Sequence, residues 1–131
     1  MTVPPKLAAY YTALDAGDDD AAAATFAEDA VYIRPAIAPA AGAPVVEIFR
    51  GRDGIRALFA QRSARKELGE NLHRHELRAF VVDGRECFIE GVGVSGGRPY
   101  AVFLAHATLD EDGLIARYNA MLMETPGGFD D

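Results

Sequence analysis

The sequence predicts an α+β fold in which three helices lie across a strongly curved sheet and enclose a pocket. The first half of the chain, residues 1–67, has three helical segments with strand signals between the second and third. The second half, residues 72–124, changes to a period of two and contains hairpin turns. Helices followed by a run of strands are typical of α+β architectures, and 131 residues suffice for one domain, 1–131, with its own core.

The composition limits the cellular compartments and the binding partners that are expected for this protein. The net charge of −7 disfavours binding to nucleic acid or to an anionic membrane surface. No apolar run approaches the roughly 20 residues that span a bilayer, and the N-terminus lacks the layout of a signal peptide. The single cysteine, Cys87, cannot form an internal disulfide. These features predict a cytoplasmic protein.

The first helix is predicted from apolar residues that recur at helical spacing, namely Leu7, Tyr10, Tyr11 and Leu14. Gly17 fits the C-terminal end of this helix because glycine adopts the left-handed conformation that commonly ends helices.

Two further helices follow. Residues 18–20 are three aspartates, which predict a cap for a second helix over 21–26, with a metal site as the less favoured alternative. Asp53 is the predicted N-cap of the third helix, and basic residues near 62–66 complement the dipole at its C-terminal end.

Six strands are expected, at 31–33, 45–49, 72–82, 85–94, 100–109 and 114–124. Asp83–Gly84 is a strong hairpin signal between the third and fourth. The proline- and alanine-rich segment 35–44 is interpreted as an ordered loop at the mouth of the pocket. Residues 125–131 are expected to be a frayed tail.

Four segments, in order, carry a resemblance to a known superfamily: YYTALDAGD at 10–18, FAEDAV at 26–31, FRGRDGI at 49–55 and LDEDGLI at 109–115. With these segments the chain resembles the nuclear-transport-factor-2-like superfamily, in particular its SnoaL-like and steroid Δ-isomerase-like members. The resemblance implies a cystatin-like cone, a pocket between sheet and helices, and homodimers formed through the outer face of the sheet. One fold hosts unrelated activities, so it does not fix the reaction.

The isomerase pattern can be compared position by position. Tyr10 matches the tyrosine that serves that class as an oxyanion donor. The general base of the class is a carboxylate directly before the proline of the first strand, where this chain has Arg34. Its second donor falls on Ala105 when counted back from the Asp112–Gly113 turn and on His106 when counted forward from Gly97–Arg98. A guanidinium cannot accept a carbon-bound proton, so ketosteroid isomerase activity of that type is not expected.

The candidate catalytic residues are therefore Tyr10, Arg34 and His106, and the candidate ligand-binding residues are Tyr10, Tyr32, Arg34, His75, Phe103 and Tyr118. Each has a structural alternative. The tyrosines could be ordinary core residues, and Arg34 could form a structural ion pair. Glu90 is expected on the outer face, paired with Arg78 or Arg117, but it would enter the pocket if the register slipped by one residue.

The histidines at 73 and 75 raise the question of a metal. Both are expected on the concave face with Leu77, Ala79 and Val81. A His-x-His pair can bind zinc, yet no third ligand stands at a suitable spacing, so no metal and no other cofactor is expected.

The two faces of the sheet are expected to differ. Glycines and alanines on the inner face, such as Gly91 and Ala105, would leave volume for a ligand. The outer face would carry an apolar patch that marks an interface, made of Tyr100, Val102, Leu104, Ile115 and Met121.

The sequence thus predicts a homodimer whose pocket takes a small apolar molecule with one oxygen function. Two hypotheses stay open: a cofactor-free enzyme that resembles polyketide cyclases and ketosteroid isomerases, and a non-catalytic ligand-binding or dimerisation module.

Overall fold

A computed structural model describes residues 2–36, 40–67, 74–125 and 127–130, apart from the side chains of residues 66 and 67. It contains α1 (Pro5–Ala16), α2 (Asp19–Ala24), β1 (Phe26–Pro35), β2 (Val46–Arg50), α3 (Gly51–Glu67), β3 (Arg74–Asp83), β4 (Glu86–Ser95), β5 (Arg98–Leu109) and β6 (Ile115–Glu124). The predicted α+β class is confirmed, with three helices packed on one mixed sheet. No helix in the described ranges is long and apolar enough to cross a membrane.

The sheet has the strand order β2-β1-β6-β5-β4-β3. All neighbours are antiparallel except β1 and β6, which run parallel. One face of the sheet packs against the helices and is called the inner face. Tyr32, Tyr118, Ala105 and Ile89 lie on it and are buried. The opposite, outer face is uncovered by the helices, so side chains that alternate along each strand meet very different surroundings.

The helix ends follow from local chemistry. Gly17 ends α1 with a φ of 73°, which glycine adopts without steric cost. Asp18 caps α2 because its Oδ1 accepts a hydrogen bond from the amide of Ala21 at 3.1 Å. The predicted capping role of the aspartate run is thereby confirmed. Asp53 lies in the first turn of α3 and is not its N-cap, because the helix begins two residues earlier.

The strand beginning at residue 26 is longer than predicted. The expected triplet 31–33 extends to Phe26–Pro35 because it pairs with β2 on one side and with β6 on the other. Phe26 therefore opens β1 and does not end α2. The guanidinium of Arg52 donates to the carbonyl oxygen of Phe26 at 3.0 and 2.8 Å, which ties α3 to this strand. The other five strands lie within two residues of their predicted bounds.

A β-bulge in β3 corrects the predicted face of that strand. The register shifts between Leu77 and Ala79, so His75 and Leu77 lie on the inner face but Ala79 and Val81 lie on the outer face. Phe80 and Val82 take the inner positions instead and pack against the core. The extra residue of a bulge exchanges the two faces beyond it, which period-two alternation alone does not reveal.

The outer face carries an apolar patch, defined here as Val81, Phe88, Leu104, Met121 and Met123, each at least 49% exposed. The expected member Ile115 does not belong to it, because its side chain is fully buried in the core. Ile115 pairs with Phe26 at the start of the parallel ladder, and its amide donates to the carbonyl of Thr25. The prediction for Ile115 is therefore wrong. The expected member Tyr100 does not belong to the patch either, because it is half-buried, and besides this burial its pKa is influenced by Glu124 and by Arg62 and Arg65 of α3.

The small residues of the inner face do not all leave open volume. A Cβ atom at Gly91 would lie 2.4 Å from the ring of Phe103, so that ring already occupies the space above the glycine. Beside it, the buried aromatic rings of α1 fill the centre of the inner face. The inner surface is more open at Ala120 and Leu122 of β6, which are only partly buried.

Candidate functional site

The centre of the inner face holds four tyrosines, here called the tyrosine cluster: Tyr10, Tyr11, Tyr32 and Tyr118. The hydroxyls of Tyr10 and Tyr32 lie 2.8 Å apart, and those of Tyr11 and Tyr118 lie 2.7 Å apart. Helix α1 contributes two consecutive members, and the paired strands β1 and β6 contribute the others, because Tyr32 and Tyr118 are register partners.

Burial sets the protonation state of this cluster. Desolvation raises the pKa of Tyr10, Tyr11 and Tyr118 well above the ordinary value of 10.0, and it raises the pKa of Tyr32 as well. The phenols also disfavour one another's ionisation, since Tyr32 and Tyr118 further raise the pKa of Tyr10. At neutral pH all four are neutral, so they can donate hydrogen bonds but cannot act as bases.

Arg34 lies two residues beyond Tyr32 on the same strand face. Its guanidinium is 3.3 Å from the carboxylate of Glu47 on β2 and stands 5.5 Å from the ring centre of Phe49. Within the described residues, its Nε is buried and has no hydrogen-bond partner. Arg34 thus forms the structural ion pair expected as one alternative, and it also presents an unused donor toward the inner face.

A second polar unit links α1 to β3. Asp15 Oδ1 is 2.6 Å from His75 Nδ1, and its other oxygen, Oδ2, accepts from the backbone amide of His75 at 2.7 Å. Arg62 places a positive charge 3.9 Å from the same carboxylate. The ring of His75 packs against Tyr11 and Phe103, at centroid distances of 5.1 and 5.2 Å. The unit therefore adjoins the tyrosine cluster.

His106 lies away from this site. It is on the outer face, where its Nε2 is 2.7 Å from a carboxylate oxygen of Glu86 and its ring stacks on Phe88. Ala105 is the inner-face residue, so the anchor at the Asp112–Gly113 turn is the correct one. Glu90 is exposed on the outer face as expected, and Arg78, one of its two expected partners, forms an ion pair with Glu76 at 3.3 Å.

Two open clefts lie elsewhere, beside the turn between β4 and β5, with volumes of about 430 and 440 Å³. Arg98 lines both, and the backbone of Phe129 in the tail donates to the carbonyl of Pro99 nearby. Neither cleft includes a member of the tyrosine cluster.

Metal-ligand chemistry is sparse in the part of the chain that the structure describes. There, no group of three His, Cys, Asp or Glu side chains is arranged to hold a metal ion. His73, the other half of the His-x-His pair, lies outside the described residues.

Comparison with known proteins identifies the family of this chain. A family model described as "SnoaL-like domain" matches residues 7–118. The chain belongs to the SnoaL-like domain family. No curated protein matches its sequence.

Several solved structures are similar to this SnoaL-like chain in fold. A proposed polyketide cyclase from Sinorhizobium meliloti is 22% identical with a TM-score of 0.67, covering 90% of this chain and 94% of that one. A proposed ketosteroid isomerase from Kribbella flavida is 16% identical with a TM-score of 0.66, covering 98% and 82%. A SnoaL-like protein of unknown function from Burkholderia thailandensis is 21% identical with a TM-score of 0.66, covering 88% and 89%.

Of the predicted ligand-binding residues, the structure of the SnoaL-like domain brings together Tyr10, Tyr32, Phe103, Tyr118 and His75, with Arg34 on the same face. The sequence interpretation missed Tyr11, Asp15 and Arg62. Asp15 stands one turn after Tyr11, and this i, i+4 spacing on α1 was an available signal that the two share a face.

Proposed function

We propose that this SnoaL-like chain binds a small, largely apolar molecule with one oxygen function on the inner face of its sheet, and acts on it by acid–base chemistry. The apolar surface comes from partly buried inner-face residues beside the cluster, Phe49, Ala120 and Leu122. The polar contact comes from neutral phenols. Apolar walls with a few placed donors are the usual character of a small-molecule site.

The observation that carries the proposal is a surplus of hydroxyl protons. The tyrosine cluster contains two hydroxyl pairs, and each pair is joined by one hydrogen bond. The four hydroxyls thus carry four protons but share two hydrogen bonds. Among the described residues, one O–H of each pair is therefore left to donate to an oxygen atom outside the cluster. A buried donor needs a partner, which a ligand oxygen would supply.

The comparison with isomerases argues against one specific reaction. The position of the isomerase base holds Arg34, which is paired with Glu47 and cannot accept a proton. We therefore expect negligible conversion of Δ5-3-ketosteroids, measured by the ultraviolet absorbance of the conjugated enone. Robust turnover that survives an Arg34→Ala substitution would contradict this expectation.

Binding is tested with 2-naphthol, a planar apolar molecule with one hydroxyl, by fluorescence titration. We expect saturable binding that weakens about fivefold in Tyr10→Phe or Tyr118→Phe, because each loses one hydrogen bond worth roughly 1 kcal/mol. Tyr100→Phe is the matched control, since Tyr100 is a half-buried tyrosine outside the cluster. No saturable binding by the wild type would overturn the proposal.

The second candidate, a non-catalytic module, is favoured by the mutual hydrogen bonds of the tyrosines, which also suit a purely structural core. It predicts 2-naphthol binding without any accelerated reaction.

For the partner, we propose a second copy of this chain on the outer face. The apolar patch spans strands β3 to β6 and is bordered by exposed charges of opposite sign, Glu90 and Arg117. A twofold axis through such a patch can bring each charge toward its opposite in the other copy. Light scattering should give twice the chain mass of 14.0 kDa. Leu104→Asp should halve that mass, and a wild-type monomer at micromolar concentration would refute the dimer.

A further inference from the structure

We propose that Arg34 binds the carboxylate of a small apolar acid that lies on the inner face across β2, β1 and β6. This inference rests on the proposed function and deepens it by naming the substrate class. The oxygen function of the bound molecule is a carboxylate, and the rest of the molecule is an apolar ring or chain. Arg34 then serves as a ligand contact at the position where the isomerases have their base.

The guanidinium of Arg34 has a donor that the described residues do not use. Its Nε is buried and has no hydrogen-bond partner among them. A buried donor on a charged group is costly when it is left unpaired, so an acceptor placed there is stabilised. A carboxylate fits best, because it brings the opposite charge and can accept two parallel hydrogen bonds from one guanidinium.

Glu47 satisfies Arg34 only in part. The Nη2 atom of Arg34 lies 3.3 Å from Oε2 of Glu47, which is long beside the roughly 2.8 Å of a good charge-assisted hydrogen bond. The two side chains are 27% and 38% exposed, and partly exposed pairs of this kind contribute little free energy. A ligand carboxylate can therefore bind beside Glu47 or displace it, and Glu47 is the group that competes with the ligand.

Apolar side chains border the guanidinium on both sides. Phe49 is the register partner of Tyr32, so it lies on the inner face, and its ring centre is 5.5 Å from the Arg34 guanidinium carbon. On the other side, the parallel register of β1 and β6 places Arg34 beside Ala120, and Leu122 follows on the same face. Phe49, Ala120 and Leu122 are only partly buried, so an apolar body can pack on them while its carboxylate contacts Arg34.

The potential at this part of the inner face suits an anion. Desolvation, the largest cause, raises the pKa of Tyr32, and the charges of Arg34 and Arg62 oppose that rise. The carboxylates beside these two arginines are Glu47 at 3.3 Å and Asp15 at 3.9 Å. The tyrosines between them are neutral, so they do not repel a bound carboxylate.

The test compares three ligands that share one ring system, by fluorescence titration at pH 7. These are 2-naphthoate, which is ionised, 2-naphthamide, which is its neutral isostere, and 2-naphthol. We expect the wild type to bind 2-naphthoate about tenfold more tightly than 2-naphthamide, because hydrogen bonds with charged partners are stronger than neutral ones. Arg34→Met should abolish this preference and leave the affinity for 2-naphthol within about twofold of the wild type.

Two further variants separate ligand binding from a structural role. Glu47→Gln should tighten 2-naphthoate binding about threefold and leave 2-naphthol unchanged, because it removes the competing charge. Arg50→Met is the matched control, since Arg50 is an exposed arginine on β2 that pairs with Val31 on the other face. A purely structural Arg34–Glu47 pair predicts that no variant changes the ratio of the naphthoate and naphthamide affinities.

The outcomes distinguish the two proposals. If none of the three ligands binds, both fail. If 2-naphthol binds but 2-naphthoate binds no more tightly than 2-naphthamide, or keeps its preference in Arg34→Met, only the inference is overturned. If 2-naphthoate binds through Arg34 and 2-naphthol does not bind, the inference is supported and the hydroxyl contact of the proposed function fails.

A measurement on the wild type decides the matter if the Arg34 variants do not fold. The ¹⁵N resonance of Arg34 Nε is followed by NMR during titration with each ligand. A saturable shift with 2-naphthoate that 2-naphthamide does not produce supports the inference, and equal or absent shifts overturn it.

Discussion

The described part of the chain contains two carboxylate–histidine pairs of nearly equal length on opposite faces of one sheet. Asp15 and His75 are 2.6 Å apart with side chains 20% and 11% exposed, whereas Glu86 and His106 are 2.7 Å apart with side chains 44% and 31% exposed. The inner pair joins a helix to a strand and adjoins the tyrosine cluster. The outer pair joins neighbouring strands, with Thr108 as a further donor and Phe88 stacked on the imidazole.

The difference shows that contact geometry alone does not make a site. Each pair has a neutral O–H donor nearby, but only the inner one adjoins the buried tyrosine cluster and is sheltered from water. Solvent weakens the electrostatic interactions of the outer pair, which are worth less when exposed. The same pair of residue types therefore lies in a sheltered site beside the tyrosine cluster on one face and holds two strands together in a more exposed position on the other.

The largest expected effect is unfolding at alkaline pH, which is caused by ionisation of the tyrosine cluster on the inner face. Because burial raises the pKa of the cluster tyrosines above 10.0, the unfolded chain releases their protons first as pH rises. The stability that they contribute is complete below pH 10.0 and is lost progressively above it. Absorbance at 295 nm should show these phenolates forming together with the loss of circular dichroism, whereas phenolates that form in the folded state would contradict the burial.

Tyr100 provides the comparison outside the tyrosine cluster. Its pKa is also raised, with partial burial as the largest cause and Glu124 as the next. A Tyr100→Phe variant should nevertheless leave the steep unfolding step in place, because the cluster on the inner face produces that step.

The next prediction compares alanine substitutions at two consecutive residues of β4. Ile89 is 3% exposed on the inner face and Phe88 is 51% exposed on the outer face. Ile89→Ala should reduce the free energy of unfolding by about 3 kcal/mol, since it removes buried methyl groups and leaves a cavity. Phe88→Ala should cost less than about 1 kcal/mol in a monomeric background such as Leu104→Asp. Urea denaturation measures both, and equal losses would mean that the outer face is more deeply buried than the structure shows.

The sequence was sufficient for the fold because its signals are local and agree with one another. Glycine at residue 17, the aspartate cap at 18 and the Asp83–Gly84 turn each act within a few residues. The bulge after Leu77 is different, because its cause is the pairing with β4, which lies outside the strand itself. Alternation predicted His75 on the correct face, since it precedes the bulge, and Val81 on the wrong one.

The site was predicted only in part, for a similar reason. Tyr10, Tyr32 and Tyr118 stand out because of their type and their positions on predicted inner faces. Asp15 is 60 residues from His75 in the sequence, so their contact depends on how α1 crosses the sheet. Spacing along one element can suggest that Asp15 lies beside Tyr11, but it cannot name a partner on β3.

The smallest expected effect concerns the outer pair at acidic pH. Hydrogen bonds from Thr108 and then from His106 lower the pKa of the Glu86 carboxyl below its ordinary value of 4.5. A lowered pKa in the folded chain means that the carboxylate stabilises the fold above pH 4.5, and that this contribution disappears as pH falls through the folded value. Thermal unfolding of Glu86→Gln should therefore occur slightly below that of the wild type near neutral pH, and the two should converge at strongly acidic pH. Because the carboxylate is exposed, the difference should also shrink in high salt. A gap that persists unchanged in acid would show that Glu86 acts through packing, and the contrast between the inner and outer pairs would then no longer depend on charge.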